Sequence, residues 1–263
     1  MATCRTRHDT NGRTQRTAPQ RVQSLDRGRA GSCARCHTFR DCLVGRLEPE
    51  ARRDVAALRR QPRPLHRGDR VYRQGESFRG IYLVQSGSLK STVVNEDGHG
   101  WIAALHFPGE ALGVDALDGG VHQQELRALE TTSVCVLPAR SLAGMAPRVR
   151  AAVFERVASL IASGNRTETM RWQLLCRVGA EERFASFLLS LSARMAAAGK
   201  DPELFDIHLS RKDIASYLGL APETVSRLFR RFHDDGLIAA VRSQIRLCET
   251  AALATLAHGR LRA

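Results

Sequence analysis

The sequence predicts an α+β protein: a glycine-punctuated β-roll, then one long helix, then a C-terminal winged helix-turn-helix. Three observations carry that prediction. Ten of the 21 glycines lie between Gly68 and Gly120, separating short β-rich runs, the mark of an all-β sandwich or barrel. Small and apolar residues then recur at three- and four-residue steps from Val149 to Leu174, which is helical periodicity. Finally, residues 210–232 read as helix, glycine turn, helix.

Composition bounds the class. The chain has 263 residues, 43% hydrophobic and 25% charged, enough for two domains of roughly 100–150 residues and too apolar for a wholly disordered chain. No apolar run approaches the roughly 18 residues of a membrane span. The first thirty residues are Arg-rich and lack the apolar stretch of a secretory signal, so a soluble cytoplasmic protein is expected. The formal charge is +13. Residues 1–67 hold sixteen arginines against six acids, residues 68–207 fifteen basic against sixteen acidic residues, and residues 208–246 seven basic against four acidic. The excess sits mainly in the N-terminal region. It permits contact with nucleic acid without demonstrating it.

Along the chain, residues 1–31 read as a disordered basic arm. The segment Cys33-Ala-Arg-Cys36-His-Thr-Phe-Arg-Asp-Cys42 follows, then a short helix over 48–60 with Leu47, Val55 and Leu58 facing inward. Runs at 81–84, 91–94 and 101–107 are strands of the roll, and 134–137 is its last strand. The domain formed by the cysteine segment and the roll spans 32–145. The long helix occupies 146–179, and its stripe is Val149, Val153, Val157, Leu160, Gly164, Thr167, Arg171 and Leu174. Such a stripe packs on its own domain or meets its twin in a homodimer. A length of about thirty residues favours the homodimer.

The last domain spans 180–250, with a tail over 251–263. A helix over 180–198 is stopped by Gly199, and the alternation over 205–209 predicts a short strand. Ser210-Arg-Lys-Asp213 is a helix-start signal, a capping hydroxyl with an acid three residues on. Ile214, Ala215 and Leu218 form an inner face, Gly219 supplies the turn, and Pro222 suits the first position of the next helix. That second helix points Val225, Leu228 and Phe232 inward and leaves Glu223, Ser226 and Arg227 on one outer face. Gly236 and the run 237–247 predict a β-wing. A second helix of this kind enters the major groove, where Arg reads guanine and Glu accepts from cytosine. The alternative is an ordinary helical hairpin with a solvated charged face.

Seven cysteines lie at positions 4, 33, 36, 42, 135, 176 and 248, three of them within ten residues. In a reducing compartment such a cluster points to metal or redox chemistry.

Residues 33–250 resemble the Crp/Fnr superfamily of bacterial transcription regulators. The resemblance is carried by Pro108-Gly-Glu110, the long helix, Ala180-Glu-Glu-Arg183 and Asp213-Ile-Ala-Ser-Tyr-Leu-Gly-Leu-Ala-Pro-Glu-Thr-Val-Ser-Arg227. It implies a jelly-roll sensor domain of the cyclic-nucleotide-binding kind, a dimerisation helix and a DNA-binding head. Glu223, Ser226 and Arg227 are similar to the reading triplet of the oxygen-responsive FNR branch, which implies a TTGAT-type inverted repeat in double-stranded DNA. Arg211, Lys212 and Arg230 are expected on phosphates. The same branch holds a [4Fe–4S] cluster on three cysteines spaced as Cys33, Cys36 and Cys42 plus a distant one, here Cys135. Four thiolates are also a zinc site, so a regulator of the same fold with structural zinc stands as the alternative. Cys4, Cys176 and Cys248 receive no role.

The resemblance further implies a homodimer through Val153, Val157, Leu160 and Gly164, with Glu168 near its twin. It also implies contact with RNA polymerase through the loop of Asn95, Glu96, Asp97, Gly98, His99 and Gly100. Cyclic-nucleotide relatives carry an Arg-Ser pair where this chain has Val121-His-Gln-Gln-Glu125, so no cyclic nucleotide is expected. His37 and Asp41 depart from the small or apolar neighbours usual beside the ligands, and polar neighbours tune a cluster. No nucleotide-binding glycine loop and no nucleophile–base motif is present in the sequence, so an enzyme is not expected. An iron–sulfur enzyme or electron carrier would leave the winged helix unexplained.

Overall fold

The computed structural model describes residue 33 and residues 36–61, 64–98, 100–177 and 179–258; within 163–177, the only side chain described is that of Leu175. The basic arm, Cys4, His99, the surroundings of Gly164 and the side chains of Glu168 and Cys176 lie outside what is described. Helix α1 (Pro49–Leu58) starts on a proline and buries Ala51 and Val55. Two antiparallel sheets then form the roll. One is ordered β1 (Arg70–Tyr72), β6 (Glu125–Ala128), β3 (Leu89–Val94), β4 (Gly100–His106), the other β5 (Ala111–Leu112), β2 (Gly80–Ser86), β7 (Ser133–Pro138).

The second sheet is buried on both faces, and its period-2 alternation sorts the side chains. Tyr82, Val84, Val134 and Val136 enter the roll with Leu89 and Leu126. Ile81, Leu83, Cys135 and Leu137 point the other way, into a second core with Cys42, Leu43, Val44 and Val55. The short helix α2 (Ala139–Ala143) leads from this sheet to α3 (Pro147–Arg177), which runs 31 residues.

The start of α3 closes that second core. Val153 and Val157 are 0% and 2% exposed, and Val149 and Leu160 pack against the same cluster. This removes Val153 and Val157 from the expected dimer stripe. Helical periodicity reports which face is buried but not what buries it, and here the cysteine loop, α1 and the outer face of β2 and β7 do so. Phe154 and Ile161, 40% and 41% exposed, are large apolar side chains that α3 leaves uncovered.

The head comprises α4 (Ala180–Ala197), β8 (Leu204–Asp206), α5 (Arg211–Leu218), α6 (Pro222–Asp234), β9 (Ile238–Val241), β10 (Gln244–Leu247) and α7 (Thr250–Ala257), with the strands ordered β8-β10-β9. Phe184 anchors its core, with Phe229 and Phe232 edge-on at 4.6 and 5.1 Å between ring centroids. Two expectations are corrected. The strand expected over 205–209 is Leu204–Asp206, followed by one more backbone bond from Ile207 N to Ser243 O at 2.7 Å, while His208 lies 3.1 Å from Glu130 on the roll. The supposed tail begins as helix α7, which packs on α4 and buries Leu253 completely.

Head and roll share a core, since Ile102, Leu105 and Leu129 join the cluster around Phe184. Lys90 of β3 pairs with Asp213 of α5. The Ile102 amide donates to Ser216 Oγ at 2.9 Å. No helix among the described residues is long and apolar enough to cross a membrane.

Candidate cysteine site and nucleic-acid interface

Local turns arrange the N-terminal thiols. Backbone bonds from Cys36 to Cys33 O, Phe39 to Cys36 O and Cys42 to Thr38 O coil residues 36–47 against the outer face of β2 and β7. Alternation along β7 presents Cys135 on that face. Cys33, Cys36, Cys42 and Cys135 thereby line one small cavity, together with Thr38, Val44, Arg59, Leu83, Val84 and Gln85. Cys42 and Cys135 are buried, at 7% and 6% exposure. Among the described residues, no three His, Cys, Asp or Glu side chains stand close enough to share a single metal ion.

Polar groups surround the sulfurs. Arg59 Nη1 donates to Cys135 Sγ at 2.8 Å, Gly45 N donates to Cys42 Sγ at 3.4 Å, and Thr38 Oγ1 lies 3.1 Å from Cys36 Sγ. Gln85, held by Gln61 at 2.7 Å, points its amide at Cys36 Sγ from 3.8 Å. Burial pushes the Cys135 thiol up, Arg59 pulls it down, and Cys36 and Cys33 push it up again. Cys42 is likewise raised by burial, against amide bonds from Gly45 and Val44 and with the help of Cys36 and Cys33. Burial alone would lower the Arg59 guanidinium, but Cys135 and the loop thiols hold it above its ordinary value. Cys42, Cys135 and Arg59 thus each feel the loop thiols Cys33 and Cys36.

Sequence reasoning missed Arg59, Thr38 and Gln85. Arg59 is the residue after α1, and no local pattern distinguishes it from the chain's other arginines. His37 and Asp41 are exposed, Asp41 pairing outward with Arg46 at 3.0 Å. The Pro108-Gly-Glu110 turn abuts the loop. Gly109 adopts φ +96°, and a Cβ there would sit 3.4 Å from Asp41 Cβ. On its other side, Glu110 meets Arg194 of α4 at 3.3 Å.

The reading head has the expected local chemistry. Ser210 Oγ accepts from Asp213 N at 3.0 Å and Asp213 Oδ2 from Ser210 N at 3.2 Å, a complete capping box. Gly219 ends α5 at φ 62°, a conformation that costs any side chain with a Cβ. Pro222 opens α6, whose buried side is Val225, Leu228, Phe232 and also Phe229. Glu223, Ser226 and Arg227 are all on the other side, away from that core. Without DNA, Ser226 Oγ donates to Pro222 O at 3.0 Å and Arg227 Nη2 to Thr224 Oγ1 at 3.3 Å. Lys212 and Arg230 face outward, whereas the Arg211 guanidinium lies 3.2 Å over the Phe229 ring centroid. Cys248, the residue after β10, is exposed and does not line the cysteine cavity. Asn95, Glu96, Asp97 and Gly98 form an exposed turn at the β3–β4 tip.

Two family descriptions match the chain: a cyclic nucleotide-binding domain over residues 62–148 and a Crp-like helix-turn-helix domain over residues 182–256. A transcriptional activator protein, Anr, of Pseudomonas aeruginosa is 34% identical over 87% of this chain and 93% of its own length. The fumarate and nitrate reduction regulatory protein of Vibrio cholerae is 31% identical over 93% and 96%. Among solved structures, FixK2 from Bradyrhizobium japonicum aligns with a TM-score of 0.62 at 31% identity, covering 74% of this chain and 95% of its own. A CRP-family transcriptional regulator from Thermus thermophilus aligns with a TM-score of 0.61 at 24% identity, covering 76% and 98%, a likeness of fold.

Proposed function

Because this chain belongs to the Crp/Fnr family of DNA-binding transcriptional activators, we propose that it is an oxygen-responsive member whose four thiols hold a [4Fe–4S] cluster. The observation that carries the reading is the shared cavity of Cys33, Cys36, Cys42 and Cys135, three from one loop and one from a strand 93 residues further along the chain. Four sulfurs are the donor set such a cluster needs, and buried N–H donors toward the sulfurs are what its anionic thiolates need. When bound, the cluster supplies the oxygen-labile link between loop and strand.

The chain's own residues supply the rest. Cys135 is fixed by the β2–β7 ladder, while Cys33, Cys36 and Cys42 ride on the turns that pack through Leu43 and Val44 against Val153 and Val157. Loop position and α3 are thus coupled through one core. Phe154, Ala158 and Ile161, spaced i, i+4, i+7 on the open side of α3, are the stripe for a second copy. A two-fold dimer presents two α6 helices about 34 Å apart, one turn of DNA, matching a TTGAT-type inverted repeat. Arg227 reads guanine, Glu223 accepts from cytosine, and Ser226 sets the FNR-type site; Lys212 and Arg230 take phosphates. The turn of Asn95, Glu96, Asp97 and Gly98 contacts RNA polymerase.

Oxygen rather than a cyclic nucleotide is the signal on this reading. Where nucleotide-binding relatives carry their Arg-Ser pair, His122 is buried, lies 3.3 Å from Asp115 and stacks on Tyr72 with 3.5 Å between centroids. The protein works in the cytoplasm, with chromosomal DNA and reduced thiols.

Anaerobic purification tests the whole reading. Iron and sulfide near four each per chain, a visible absorption band, and operator binding lost on exposure to air are expected. Stoichiometric zinc with binding indifferent to air would replace the cluster by a structural metal.

A further inference from the structure

Among the described residues, Arg59 is the cation that the fold drives into the cysteine cavity. It is 3% exposed, and Nη1 lies 2.8 Å from Cys135 Sγ. Its placement is built. The next residue, Arg60, exchanges both backbone hydrogen bonds with Val136, N to O at 2.8 Å and O from N at 2.7 Å. That two-way bridge locks the end of α1 to the strand position adjoining Cys135. The side chain then has a short, enclosed path to the sulfur. A buried charge is retained only when paired and hydrogen-bonded, and here the Cys135 thiol takes one of its donors.

We propose that Arg59 is a positioning and charge-compensating residue for the cluster: it donates to the Cys135 sulfur and offsets part of the negative charge of a four-thiolate ligand set. This rests on the cluster reading above. It adds a specific electrostatic role to a residue the cysteine pattern does not mark. Hydrogen bonds to ligand sulfurs and local charge are the protein's levers on cluster potential. A fixed cation stabilises the more negative, reduced state. Removing it lowers the midpoint potential and speeds oxidative loss.

The test compares Arg59→Lys, which keeps the charge, with Arg59→Gln, which keeps an N–H donor, and Arg59→Met, which keeps neither. Each is purified anaerobically, and iron, sulfide, midpoint potential and the decay of the visible band in air are measured. The charge role predicts Arg59→Lys near wild type, and Arg59→Gln and Arg59→Met with the reduction equilibrium weakened about tenfold, about 59 mV for a one-electron couple. Their band should also decay several-fold faster. Should Arg59→Met fail to fold, the Lys and Gln pair decides. Equal potentials and decay rates in all variants that fold, with the cluster present in wild type, would overturn the role of Arg59. A wild-type protein without iron and sulfide would instead overturn the cluster reading itself.

Discussion

Arg194, on the helix that opens the reading head, meets Glu110 at 3.3 Å, donates to the Leu105 carbonyl at 2.9 Å and stacks 4.9 Å over Phe107. The turn carrying Glu110 runs beside the cysteine loop, so close that a Cβ on Gly109 would meet Asp41. One short segment of the roll therefore has the cysteine loop on one side and the head on the other. Both charges are about a third exposed, so the ion pair is worth at most about 1 kcal/mol. Glu110→Gln should weaken operator binding about fivefold while leaving iron content unchanged. Arg194→Ala should cost more, because it also loses the carbonyl bond and the ring. A double-mutant cycle on operator affinity measures the coupling, and additive losses would show that the two residues act independently.

Ser substitutions at Cys33, Cys36, Cys42 or Cys135 should each abolish cluster content and anaerobic promoter activity. Substitutions at Cys4, Cys176 or Cys248 should leave both intact. Iron and sulfide analysis alongside a promoter fusion checks this; full activity in Cys135→Ser would reject the four-thiolate set.

On α3, neighbouring positions should behave oppositely. Val153→Ala should cost about 2 kcal/mol of fold stability, as removal of buried methyl groups does, without changing the association state. Phe154→Asp or Ile161→Asp should spare the melting temperature of the monomer and dissociate the dimer. Sedimentation and thermal melts distinguish the two classes. A dimer that survives both Asp substitutions would remove this stripe from the interface.

In the reading head, Arg227→Ala should lose about 1–3 kcal/mol of discrimination at its own base pair. Lys212→Ala and Arg230→Ala should instead weaken all sites alike and reduce the salt slope by about one each. Titrations against operators altered one base pair at a time, at fixed salt, separate these behaviours. A uniform loss for Arg227→Ala would reassign it to a phosphate.

Replacing Asn95, Glu96 and Asp97 by alanine should lower transcription activation and leave operator affinity within about twofold. An equal loss of affinity would contradict the polymerase-contact role of that turn.

The head was legible because its signals are local. Ser210 with Asp213, Gly219 and Pro222 each act within one turn of chain, and the structure realises all three. The cysteine triad is local too, whereas Cys135 sits in an apolar strand buried on both faces and was marked only by the family resemblance. What escaped notice is long-range. Arg59 reaches a sulfur 76 residues away. At Val153 and Val157 the α3 stripe is buried against its own domain, the alternative that its length had argued against. Helix α7 begins at Thr250, and its N-cap Glu249 makes no side-chain capping bond, so nothing marked its start.

Asp213 does two jobs at once, capping α5 through Ser210 and anchoring it to the roll through Lys90. Burial alone would raise its carboxyl, but the bonds from Lys90 and Ser210 outweigh that and hold it below the ordinary carboxylate value. Its stabilising contribution is therefore complete above about 3.9, the unfolded value, and fades only as acidity carries the pH down through the depressed native one. At neutral pH, protonation of Asp213 does not loosen this joint. The tie between α5 and the roll through Lys90 and Asp213 is therefore insensitive to mild acid.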